Sequence, residues 1–82
     1  MSYGYSQSLA HTNKTESARH LGVALGRVCI RAGISVSCVA VRFGVSRMAV
    51  YNWFSGRSVP KPELTFPIKE YIRAVKLRHN IR

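Results

Sequence analysis

One glycine constrains this chain more than any other residue. Gly44 stands between two short apolar-periodic segments. Val36, Val39, Ala40 and Phe43 fall on one face of a helix before it, and Val50, Trp53 and Phe54 on one face of a helix after it. Because glycine reaches positive φ without steric cost, the first helix can close in a left-handed residue and the second can leave at a steep angle. Ser35 and Ser46 are suited to cap the two N-termini, and each lies between apolar residues at staple spacing, Ile34 with Val39 and Val45 with Val50. Helix 2 is therefore expected over Val36 to Phe43 and helix 3 over about Arg47 to Phe54.

The flanking segments extend the helical reading. A first helix is predicted from about Asn13, with Glu16 completing a capping box, to Ala32, with the stripe Ala18, Leu21, Leu25, Val28, Cys29 and Ala32. Gly22 and Gly26 weaken it, and their spacing permits a close crossing. After Gly56, the prolines at 60 and 62 favour an extended linker. Leu64 and Phe66 are expected to pack under the domain. A last helix, with Pro67 in its first turn, is expected to run to about Arg78 and to bury Ile68, Tyr71, Ile72 and Val75. Residues 1–12 are polar and aperiodic and read as a flexible N-terminal arm, which leaves 13–82 as one all-α domain of four to five helices. Tyr3, Tyr5, His11 and Lys14 would let the arm follow a nucleic-acid groove.

The stretch from Val36 to Pro62 resembles the helix-turn-helix of phage repressor, Cro and XRE-like DNA-binding domains. Ala40 stands where that family has a small residue at the helix crossing, Gly44 at its turn, Val45 just after it, and Val50 and Trp53 at its core positions. WFSGRSVPKP, residues 53–62, is similar to the W-x-x-G-x-x-x-P tail that follows the recognition helix. The resemblance, over roughly residues 18–62, implies a lambda-repressor-like fold and a small sequence-specific transcriptional regulator of the kind phages and mobile elements encode.

Charge points the same way. The 82 residues hold 13 Lys and Arg against 3 Asp and Glu, a net charge of +10. From Ser17 to Pro62 there is no acidic residue, while Arg19, Arg27, Arg31, Arg42, Arg47, Arg57 and Lys61 fall there. Such a body repels itself unless a polyanion neutralises it, and double-stranded DNA is the expected partner. With Val50, Trp53 and Phe54 turned inward, the period places Arg47, Met48, Tyr51, Asn52 and Ser55 outward as the base-reading set. Arg47 can donate twice to guanine and Asn52 can pair with adenine, while Met48 and Tyr51 can lie on a thymine methyl, or Tyr51 reach a phosphate. Ser46 serves as cap and phosphate contact. The resemblance adds Ser35, Ser37, Arg57 and Ser58 to the DNA-backbone set, with Lys61 nearby. Arg42, beside the turn, either reaches phosphate or is solvated.

One short reading helix covers few base pairs, so a homodimer on a two-fold site is expected, with Tyr71, Ile72, Val75, Leu77 and Ile81 of the last helix as its interface. The alternatives are a basic interaction protein that docks on a host polymerase or nucleoid protein, and a nucleic-acid binder without base readout. An enzyme is not expected, because Glu16, Glu63 and Glu70 are dispersed and no nucleophile has a base beside it. Neither a metal nor another cofactor is expected, since Cys29, Cys38, His11, His20 and His79 lack metal-site spacing. Both cysteines are expected to be buried thiols in a reducing cytoplasm. No apolar run reaches the length of a membrane span, and no signal peptide is discernible.

Overall fold

The computed structural model describes residues 20–80, which form four α-helices and no strand: α1 (Leu21–Ala32), α2 (Val36–Phe43), α3 (Arg47–Ser55) and α4 (Thr65–His79), with a 3₁₀ turn at Pro62–Leu64. The all-α expectation holds over these residues. The arm at 1–12, Asn13, Glu16, Ala18 and Ile81 lie outside them.

Local chemistry sets the ends of the two short helices. Ser35 and Ser46 have extended backbone, and their hydroxyls each accept a hydrogen bond from the N–H three residues on, Cys38 and Ala49, at 3.1 Å. At Gly44, φ is +65°; its N–H donates to the Val41 carbonyl and that of Val45 to the Ala40 carbonyl at 3.0 Å. This paired closure satisfies carbonyls that the helix end would otherwise orphan. Gly33 and Gly56 end α1 and α3 in the same left-handed way. Ser46→Ala is expected to lower stability by about 1 kcal/mol, read as a lower midpoint in urea, and Ser35→Ala by a similar amount. Unchanged midpoints for both would show that these caps contribute nothing.

The core lies where α1 packs on α3 and α4 and where α2 packs on α3. Leu25, Val28 and Cys29 of α1 meet Val36, Val39 and Ala40 of α2, Val50, Trp53 and Phe54 of α3, and Ile68, Ile72 and Val75 of α4 in one cluster. The staple residues Ile34 and Val45 pack against it. Gly22 is buried at the crossing of α1 and α3, where a Cβ would stand 2.7 Å from the Trp53 carbonyl oxygen and 2.8 Å from the Trp53 Cβ. The close approach that the glycine spacing permits is therefore realised at Gly22.

The structure corrects several expectations. The helix expected from Asn13 does not run unbroken, because His20 is extended at ψ 126° and helical geometry begins at Leu21. The stripe from Leu21 to Ala32 fits inside this shorter helix, so the apolar period fixed its face but not its start. Phe66 is 71% exposed instead of packed beneath the domain. Helical geometry already holds at Thr65, which turns Phe66 to the side opposite Ile68, Ile72 and Val75. Cys38 is exposed while Cys29 is buried, both as free thiols. With Val36, Val39 and Ala40 inward, Cys38 shares the outer side of α2 with Ser37 and Val41.

Candidate nucleic-acid interface

The closure at Gly44 leaves the first turn of α3 at the surface. Ser46 and Arg47 are exposed, and Met48 is 68% exposed. Further along, Tyr51 and Asn52 are half-buried. The helix is anchored beneath by Val50 and Phe54, both 0% exposed, and Trp53 at 5%. Ser55, expected on the outward side, is instead buried, and its hydroxyl donates to the Asn52 carbonyl at 3.3 Å. It lies in the last turn of α3, one residue past Phe54.

The Asn52 carbonyl organises the chain beyond α3. Besides the Ser55 hydroxyl it accepts the Arg57 N–H at 2.9 Å and the Ser58 N–H at 3.3 Å. Those bonds fix the chain reversal that carries Arg57 and Ser58, both exposed, as is Lys61. At the start of α2, Ser37 is exposed and Ser35 is half-buried, its hydroxyl engaged as a cap.

Arg42 is neither a bare solvated cation nor aimed away from the body. Its guanidinium carbon lies 5.3 Å from the centre of the Tyr71 ring, within cation–π range. Phe43 meets Tyr71 edge to face at 5.5 Å between centroids and Trp53 at 6.5 Å. This aromatic chain ties the C-terminal end of α2 to α3 and α4, and sequence spacing gave no sign of it because its members are 10 to 28 positions apart. Burial pushes the Tyr71 hydroxyl above its ordinary pKa, the Cys29 and Cys38 thiols push the same way, and the Arg42 and Arg78 charges oppose them.

No acidic residue occurs on α1, α2 or α3; the acids among the described residues are Glu63 and Glu70. A cleft of about 420 Å³ runs between the turn, α3 and residues 59–64, with Phe43, Val45, Ala49 and Trp53 among its apolar lining and Lys61 and Glu63 as its charged lining. Among the described residues no three His, Cys, Asp or Glu side chains gather as a metal site requires, and no helix is long and apolar enough to cross a membrane.

The arrangement can therefore present one arginine and one flexible thioether at the N-terminal end of a rigidly seated helix, with exposed Arg57, Ser58 and Lys61 on the chain that follows it and Glu63 as the acid that shares the cleft with Lys61. Comparison of the chain with protein-family models, characterised proteins and solved structures yields no significant match.

Proposed function

We propose that this chain is a small sequence-specific regulator of transcription that binds double-stranded DNA, with α2 and α3 as a lambda-repressor-like helix-turn-helix and α3 as the helix that enters the major groove. The observation that carries this reading is the exposure of Arg47 and Met48 on the first turn of a helix whose other side is sealed in the core. A helix held this way can be pushed into a groove without being pulled from the protein.

Arg47 donates two hydrogen bonds to guanine O6 and N7, and Met48 lies against a thymine methyl. Tyr51 and Asn52, half-buried, reach bases only from the edge of the contact. Ser55 has no part in readout. Ser46 and the N–H groups at the start of α3, Ser35 and Ser37 at the start of α2, and Arg57, Ser58 and Lys61 after α3 hold phosphates on either side. Arg42 reaches phosphate from its seat on Tyr71, with part of its desolvation already met by the ring. The protein works without cofactor or catalysis, in the cytoplasm or nucleoid of a bacterial host.

Selection from random duplexes is expected to return a defined sequence. Against that sequence Arg47→Ala is expected to lose about 1–3 kcal/mol of discrimination, roughly five- to 150-fold, with a much smaller loss on random DNA at the same salt. Equal losses on both would make Arg47 a phosphate contact. Selection that returns no preferred sequence would remove base readout altogether.

A further inference from the structure

Of the α4 residues first expected to join two copies, Ile72 and Val75 are taken up by the protein's own core and Tyr71 is half-buried, while Leu77 is exposed. Ile68, Ile72 and Val75 are 0%, 9% and 5% exposed within the protein's own core. The opposite face carries Phe66 at 71% exposure, Glu70, Arg73 and Leu77 at 78%, with both charged residues exposed. At 3.6 residues per turn these four fall on a strip roughly 60° wide. They lie directly opposite the buried line.

The order along this strip is apolar, acid, base, apolar. Read in the other direction it is apolar, base, acid, apolar, which is the complement that an antiparallel copy presents. A two-fold axis passing between positions 71 and 72 sets Phe66 against the partner's Leu77 and Glu70 against the partner's Arg73, each pair occurring twice. A parallel pairing would instead put glutamate on glutamate and arginine on arginine. Among the described residues neither Glu70 nor Arg73 has an ion pair within its own chain. Glu70 is the sole acid on α4 of a strongly basic chain, and it stands where this symmetry needs it.

We propose that the Phe66–Glu70–Arg73–Leu77 strip is a self-complementary surface that binds a second copy of this chain, α4 against α4 in antiparallel register. A single helix face lies at the low end of specific interfaces, below about 1,200 Å² in total, so the association is weak and reversible in the absence of other contacts. Two chains joined this way present two copies of α3 related by a two-fold axis. The pairing itself follows from α4 and is tested without nucleic acid, so it stands or falls separately from the DNA reading.

Sedimentation of the full chain over a concentration series at physiological salt provides the test. The wild type is expected to form dimers below about 1 mM. Glu70→Arg sets arginine against Arg73 of the partner twice over, and Arg73→Glu sets glutamate against Glu70 twice over. Each variant is expected to dimerise at least about tenfold more weakly. Mixed in equal amounts, the two variants regain opposite charges at both pairs, and a heterodimer of wild-type strength is expected. Because both positions are exposed, circular dichroism should show folded chains throughout. A wild type that remains monomeric across the series, single variants that dimerise like the wild type, or a mixture that fails to associate would each overturn the proposal. Protection of the strip only in a complex with a different protein or with lipid would do the same.

Discussion

Gly22→Val is expected to destabilise the domain by more than about 3 kcal/mol, a large part of the total stability of so small a protein. A Cβ at this position would stand 2.7 Å from the Trp53 carbonyl oxygen, 2.8 Å from its Cβ and 3.0 Å from its carbonyl carbon. Two of those atoms are backbone, so relief requires α1 and α3 to move apart rather than a side chain to turn. Gly22→Ala separates this cause from helix propensity. Alanine favours the helix by about 1 kcal/mol over glycine, yet overpacking at the crossing costs about 1–3 kcal/mol, so a net loss is expected in urea unfolding. An alanine variant more stable than the wild type would show that the two helices do not cross at this point.

The second large effect contrasts two side chains of one helix. Phe54 is among the largest fully buried side chains. Phe54→Ala is expected to cost about 3–5 kcal/mol, enough to leave much of the population unfolded and DNA binding lost with it. Arg47→Ala, seven residues earlier and exposed, is expected to leave the unfolding midpoint within about 0.5 kcal/mol of the wild type while discrimination falls. Binding lost at 47 without stability, and at 54 together with stability, is the signature of a helix with one structural side and one reading side. Equal stability losses at the two positions would contradict that division.

How far the sequence was legible depended on the range of the signals. Both ends of α2 and the start of α3 were readable because serine caps and left-handed glycines act within a few residues. The fully inward residues of α2, α3 and α4 followed from the period, whereas Phe43 and Tyr71, read as inward with them, are half-buried at the edge of the core. The start of α1 was not readable, since a continuing period does not mark a terminus and His20 carries no capping bond. Ser55 was misplaced because the period counts it outward, whereas it is buried with its hydroxyl bonded to the Asn52 carbonyl. Phe66 was misplaced because two prolines obscured where α4 begins. Arg42 on Tyr71 joins positions 29 apart in the chain, and no local pattern reports such a pair. Within the candidate site, then, Arg47 and Met48 follow from the period, whereas the seat of Arg42 and the loss of Ser55 come from packing.

Salt titration of binding to a selected duplex tests most directly whether DNA is gripped through phosphates on both sides of α3. With Arg42, Arg57 and Lys61 as the charged backbone contacts, log K is expected to fall linearly with log salt, with a slope between about −2 and −4 per protomer. A slope near zero, or no measurable binding at low salt, would contradict it.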